Sequence, residues 1–503
     1  MRRRSFVAGA AAALGVPPFA AGLANAEEPR FALGIASGQP HASGMVLWTR
    51  VTGALLPARV PVVWEIADDE RFERVVARGE ETAEAAWAHS VHAEPNGLEG
   101  DRWYWYRFSA LGQRSETGRT RTAPATDAAV ARVRFAIASC QRYDAGHYAA
   151  WRHVSNADLD LVLFLGDYIY ETPSRADAFR RHEGGELFTL AQYRARYATY
   201  KSDPSLRAAH AAMPWLMVWD DHEVSNDYAD LNGQDPAVDM RMRRTAAYRA
   251  YWEHMPFPNA ARPVGADMRI VGRTDWGTLA RFHRLDDRQY RDPQVCPRPG
   301  RGGSNTVTRS ECPDLLDPRR SLLGAEQERW LSEGWDLARP WNVLMQQTLM
   351  ARFNWGDPAR GGLYWTDGWD GYSPARQRLL ADAARRKVPG LVVVGGDVHS
   401  NYVADLHVDA DDPRSPVVAS EFCGTSISSV SSLAQSRIDE ALAVNPHIRF
   451  GRTDQRGIVR FELDRKQLRA SLEVVDRPAD PASSISIAAR FVVDAGRPGP
   501  VAA

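Results

Sequence analysis

Past its first 26 residues the chain has no apolar run near the ~18 residues that a bilayer-spanning helix needs. No membrane span is therefore expected. Charge of one sign is also missing: 62 Lys and Arg stand against 63 Asp and Glu. That balance excludes a nucleic-acid binder working by bulk charge. There is no internal repeat, which excludes solenoids and propellers. Cysteine is scarce, with four in 503 residues: Cys140, Cys296, Cys312 and Cys423. So few cannot staple a chain of this length, and its fold must rest on an apolar core.

What is present fits that reading. Apolar residues make up 44% and charged residues 25%, the composition of an ordinary globular protein of two or more domains. The first 26 residues are different. Arg2-Arg3-Arg4-Ser5-Phe6 precedes an Ala/Gly/Leu/Val stretch that ends at Ala24-Asn25-Ala26. A basic start, an apolar centre and a small-x-small end describe a signal peptide cleaved after Ala26. Arg3-Arg4-x-Phe is similar to a twin-arginine signal, with a general secretory signal as the alternative. The expected location is therefore outside the cytoplasm, periplasmic or extracellular, with the twin-arginine translocase as the partner in export. Disulfides are permitted there. Cys296 and Cys312 flank a loop rich in Gly, Pro, Arg and Ser, and are read as one disulfide. Cys423 is read as a small buried residue.

Patterning divides the rest. Residues 27–128 read as an all-β domain, a small sandwich with strands at Val46–Val51, Val60–Ile66 and Trp103–Phe108. Residues 129–480 alternate short apolar strands with helical stretches. The strands are Val133–Ala138, Leu159–Leu165, Trp215–Trp219, Trp341–Gln346, Leu391–Val394 and Val417–Phe422. Helices are expected at Leu190–Thr199, Met240–Trp252 and Ala325–Ala338, and a hairpin at 457–475. This is an α/β domain. Residues 481–503 are expected to be a weakly patterned tail.

Four strand ends in the second domain carry metal-type ligands. They are Ala138-Ser139-Cys140, Gly166-Asp167-x-x-Tyr170, Trp219-Asp220-Asp221-His222-Glu223 with Asn226, and Gly396-Asp397-Val398-His399. Ligands gather at strand ends in open α/β sheets. A carboxylate such as Asp167 can bridge two cations. Asn226 offers a neutral oxygen suited to Ca or Mg. Asp397 and His399 share a face if the segment is extended. Phenolate at Tyr170 is a hard anionic oxygen and suits a trivalent metal such as Fe(III). Cys140 would add a thiolate. His222 is a candidate metal ligand, phosphate contact or general acid, and Asp220 or Asp221 could ligate metal or orient it. Each group alone has a plain alternative: Asp167 and Asn226 as caps, Tyr170 as a half-buried aromatic, Cys140 as a buried strand end.

Taken together these segments resemble the PhoD family of alkaline phosphatases. Glu421-Phe422-Cys423-Gly424-Thr425-Ser426-Ile427-Ser428 also looks like a segment of that family. The resemblance implies a calcineurin-like metallophosphatase core, two stacked mixed sheets flanked by helices, behind an Ig- or fibronectin-like domain. It implies one Fe(III) with one or two Ca(II), Mg being an alternative to Ca. Cys140, Asp167, Tyr170 and His399 would be iron ligands. Asp167, Asn226 and Asp397 would face Ca, with Asp167 bridging. His222 and Asp221 are the catalytic candidates. The implied reaction is hydrolysis of small phosphate esters, with an Fe(III)/Ca-activated hydroxide or oxo group attacking phosphorus in line. The alternative is a phosphodiesterase with the same site, phospholipase-D-like or acting on cell-wall diesters.

Overall fold

The computed structural model of the protein describes residues 28–412 and 414–503. The expected signal peptide, residues 1–26, lies outside the described residues. Two large sheets organise the chain. The ten-stranded sheet runs, edge to edge, through Arg497–Ala502, Ile485–Asp494, Gln467–Val475, Gly457–Asp464, Arg132–Ala138, Leu161–Phe164, Trp215–Met217, Ile35–His41, Gly44–Arg50 and Ser90–Ala93. The seven-stranded sheet runs through Gly272–Trp276, Ala280–Arg284, Trp341–Met345, Leu391–Gly395, Val417–Cys423, Asn401–His407 and Ile448–Arg452.

Strand periodicity explains how these sheets stack. Successive side chains leave a strand on opposite faces. In Leu391–Gly395, Val392 and Val394 join one core cluster while Leu391 and Val393 join another. The first cluster holds the two sheets together. Phe135 stacks on Phe461 at 4.8 Å within the larger sheet and meets Phe282 of the smaller one edge-on at 5.4 Å. Helices Ala149–Ser155, Leu190–Lys201, Pro204–Ala212 and Met240–His254 also feed this cluster, and Gly324–Glu333, Ser373–Arg386 and Gln435–Leu442 feed the second. Helix ends are set by local chemistry. Thr189 and Gln192 form a capping box before Leu190–Lys201, and Asp239 caps Met240–His254. Helix Gly324–Glu333 stops short of the expected Ala338, at Gly334, a residue type that disfavours helix continuation.

Two expectations are adjusted. The N-terminal β region packs as two sheets around one core, but it is not separate from the second domain. Ile35–His41 lies parallel to Trp215–Met217, with Gly38 opposite Trp215, so three of its strands extend the large sheet. The other sheet of the region, from Val75–Glu84, Arg59–Ala67, Trp103–Ala110, Gln113–Arg114 and Gly118–Arg121, packs around Val60, Val62, Ile66, Tyr106 and Phe108. Nor is 481–503 a tail. Ile485–Asp494 and Arg497–Ala502 complete the edge of the large sheet, and Phe491 and Val493 are buried. Alternation there is weak because much of the outer face is exposed. The hairpin at 457–475 extends the sheet as expected. No helix among the described residues is long and apolar enough to cross a membrane.

A candidate metal centre at the strand ends

Arg132–Ala138, Leu161–Phe164 and Trp215–Met217 are neighbouring parallel strands, so their carboxyl ends open side by side. Leu391–Gly395 belongs to the other sheet, and its following loop meets them. Backbone bonds tie the loops together: Cys140 N–H donates to Gly166 O at 3.0 Å, and Gly396 N–H to Gln347 O at 2.7 Å. Ser429 N–H donates to Cys140 O at 3.1 Å, which fixes the 425–429 segment over the Cys140 turn. Gly166 must be glycine. Its φ is 109°, and a Cβ there would lie 2.7 Å from the backbone nitrogen of Asp220.

The strand-end side chains converge. Ligand atoms of Cys140, Asp167 and His399 lie within 4.8 Å of one another, as do those of Asp167, Asp221 and His222, and those of Asp220, Asp221 and Asp397. Tyr170 Oη donates to Asp167 Oδ2 at 2.8 Å and lies 3.1 Å from His399 Nε2. Ser429 Oγ donates to Tyr170 Oη at 2.7 Å. Asn226 lines the same cavity as Asp167, Asp221 and His222. Cys140, Asp167, Asp397 and His399 all have φ between 53° and 66°. Left-handed conformations at residues other than Gly are costly and cluster at functional sites. Because Asp397 and His399 both have positive φ, the segment is not the extended strand from which their shared face was expected. Cys296 and Cys312 are bonded, and Cys423 is buried with its thiol donating to Gly396 O at 3.2 Å.

Electrostatics test whether the site suits cations. Burial raises the Cys140 thiol and the Tyr170 phenol well above their ordinary values, and Asp167 pushes both further. Burial also raises Asp397 well above the usual carboxylate range, and Asp221 to about 7, although Arg288 opposes both. Asp167 differs: burial would raise it, but the imidazoles of His222 and His399 outweigh burial and hold it low. Acidic groups thus compete for ionisation in one buried space. Asp167 Oδ1 and Asp220 Oδ2 are buried and accept no hydrogen bond. A cation of high charge would let the whole set ionise together, so the donors fit metal.

Several side chains at the site had no role assigned from the sequence, although Glu171 and Glu223 stand within its motifs. Glu171 Oε2 lies 2.6 Å from His222 Nδ1, and its Oε1 accepts the Asn226 N–H at 2.8 Å. Burial lowers the His222 pKa, but Glu171, Asp221 and Asp167 outweigh it and raise it well above an ordinary imidazole. Glu223 accepts the backbone N–H groups of Asp167, Tyr168 and Asp220, fixing two of the strand ends to each other. Arg288 is fully buried. It donates to Asp220 at 2.5 Å and Asp367 at 2.8 Å, and its Nη2 lies 3.9 Å from Asp221. Thr348 Oγ1 donates to Asp397 Oδ2 at 2.6 Å. Thr348 follows an expected strand, Trp341–Met345, so the strand-end signal could have found it, whereas Arg288 follows Ala280–Arg284, which is not among the expected strands. Asp367 and Ser429 sit in irregular segments that carry no such signal.

The described site can be set beside known proteins. The family described as PhoD-like phosphatase matches residues 135–472, and the PhoD-like phosphatase N-terminal domain matches residues 18–124. Alkaline phosphatase D of Bacillus subtilis (strain 168) is 41% identical over 486 residues, which is 93% of this chain and 82% of that protein. A solved structure of PhoD superposes with a TM-score of 0.89 at 40% identity, covering 94% of this chain and 92% of the other.

Proposed function

This chain belongs to the PhoD-like phosphatase family and is an alkaline phosphatase of that type, and from this premise we propose that it is an exported enzyme using Fe(III) and Ca(II). Its substrates are phosphate esters. The observation that carries the proposal is the convergence of Cys140, Asp167, Tyr170 and His399, with Oδ1 of the Asp167 carboxylate buried and without a hydrogen-bond partner. A thiol, a phenol, a carboxylate and an imidazole in one cluster suit a ferric ion better than Mg or Zn. Asp167, Asp397 and Asn226 would supply oxygen donors, which suit Ca or Mg. Bound there, the metals would supply positive charge to activate water and to neutralise the phosphate oxygens. Two stacked mixed sheets flanked by helices support a calcineurin-like core.

The protein groups then have separate tasks. His222 Nδ1 is held by Glu171, which leaves Nε2 for the cavity. Glu171, Asp221 and Asp167 raise its pKa above that of an ordinary imidazole and so favour the protonated ring, which makes His222 the group to donate to the phosphate or to the departing alkoxide. Asp221 accepts the backbone N–H groups of His222 and Asp227, at 2.9 and 2.7 Å, and so places the His222 turn. Arg288 holds Asp220 and Asp367 in fixed positions against their mutual repulsion. Export is supported by the twin-arginine-like start and by the Cys296–Cys312 disulfide, which suits an oxidising compartment.

The test is metal analysis and turnover of p-nitrophenyl phosphate. The purified protein is expected to contain iron and calcium and to show a visible phenolate-to-iron band. Tyr170→Phe should lose the colour, and Asp167→Asn should lose metal and more than about a hundredfold in kcat/KM. A colourless, iron-free but fully active protein refutes the iron assignment.

A further inference from the structure

The site opens into a cavity of about 580 Å³ whose floor and far wall differ in chemistry. Asp167, Asp221, His222, Asn226, Asp397 and His399 form the polar floor. Phe353, Trp355, Leu363, Trp365, Trp369 and Tyr402 form the wall. Phosphoryl chemistry uses only the floor, and the volume is in the range that takes an organic ligand rather than phosphate alone.

The wall is built and not incidental. Phe353, Trp369 and Tyr402 are its buried members, with Phe353 4.4 Å from the Trp355 ring and 5.0 Å from Tyr402. Trp369 Nε1 donates to Gln346 Oε1 at 3.0 Å. Trp355, Leu363 and Trp365 remain half-exposed. Trp355 is held by its backbone: its N–H donates to Leu363 O at 2.8 Å, and its carbonyl accepts from Arg437. Trp365 pairs across a short two-strand ribbon with Thr306, which lines the cavity too. Both indoles are therefore held through main chain, and Trp355 also by the Phe353 ring, while part of their surface stays open beside a phosphate site. Leaving such surface in water is unfavourable, and a flat ring laid on it recovers area and stacking.

We propose that this wall is the subsite for the organic part of the substrate, and that it selects phosphate esters carrying a flat ring, an aryl group or a nucleobase. The inference rests on the phosphatase reading and adds a substrate class to it. Trp355 and Trp365 are the specificity residues.

The experiment compares kcat/KM for naphthyl phosphate, thymidine monophosphate and glycerol phosphate in the wild type, Trp355→Ala and Trp365→Ala. The ring-over-glycerol ratio is expected to fall about tenfold in each variant, mainly through KM. Trp365→Phe, which keeps an aromatic face, should retain most of it. If only the naphthyl ratio falls, the ring is an aryl group; if only the thymidine ratio falls, it is a nucleobase. Ratios unchanged in both alanine variants overturn the proposal. Should an alanine variant fail to fold, Trp→Leu fills the volume without a π face and reads the same ratio. Quenching of tryptophan fluorescence by naphthyl phosphate tests the subsite apart from turnover. Quenching reduced in the variants supports the subsite, and equal quenching in all of them overturns it. Quenching without hydrolysis of any ester would overturn the phosphatase reading and leave the subsite standing.

Discussion

Glu171 lies in the same turn as Asp167 and Tyr170, yet its carboxylate is engaged with His222 Nδ1 and the Asn226 N–H. The bond sets both the tautomer and the charge of the imidazole. A raised pKa means that the His222 proton is retained until pH rises through that value. If this proton is used in turnover, activity is lost on the alkaline side of the profile. Glu171→Gln keeps the shape but removes the charge. The His222 pKa then falls, so the alkaline limb of kcat against pH moves to lower pH, and kcat at alkaline pH drops about tenfold or more. An unmoved limb would remove His222 as the proton donor. Gly166 acts through backbone alone. Gly166→Ala places a Cβ against Asp220 at a φ of 109°. It should cost on the order of 2 kcal/mol in denaturant unfolding, and activity should suffer with it because both strand ends shift.

Elements rather than single residues carry the cavity's second wall. The Cys296–Cys312 disulfide closes a loop of sequence separation 16. Inside it, Ser304 donates through N–H and Oγ to Asp227 Oδ2 at 3.0 and 2.7 Å, and Thr306 pairs with Trp365. Cys296→Ser with Cys312→Ser should lower stability by about 2–4 kcal/mol, measured by urea denaturation. KM should rise more than kcat falls, since the wall loosens while the strand ends stay. At this scale much was legible. Short apolar runs that end in Gly, Asp or His mark strands whose turns carry the site, and three of those strands are neighbours. Helices Leu190–Lys201 and Met240–His254 begin where expected, because their N-caps are written in Thr189 and Asp239, and each runs two residues past its expected end. What pairs with what was not legible. Ile35–His41 looks like any strand of a separate β domain, and only the parallel contact at Gly38 and Trp215 makes it part of the large sheet. Asp367 reaches Arg288 and Arg291 from an irregular segment, a long-range contact with no local period to announce it.

Across the whole molecule the N-terminal strands, the motif turn and the helical layer meet at one buried cation. Lys201 ends helix Leu190–Lys201, with its Nζ 4.2 Å from the ring centre of Trp48 in strand Gly44–Arg50. The same Nζ is 3.4 Å from Tyr168 Oη, which bonds His210 Nε2 of helix Pro204–Ala212 at 2.8 Å. Among the described residues no carboxylate offsets its burial. Burial therefore lowers its pKa from 10.5 to about 7. The sign follows from proton counting. Between about 7 and about 10.5 the unfolded chain binds the proton and the folded chain does not, so stability rises with pH across that window. Below about 7 both states are protonated and the penalty is complete. Lys201→Met keeps the apolar stem against Trp48 and removes the ionisation. It should raise stability at pH of about 6 by an amount up to the order of 4 kcal/mol, and the gain should shrink as pH rises. Urea unfolding at pH of about 6 and about 9 reads the difference. A variant whose stability still climbs with pH as steeply as the wild type would place the pH dependence elsewhere. Lys201 unprotonated is thus the form that the packed interior favours, and it is the form that alkaline conditions supply.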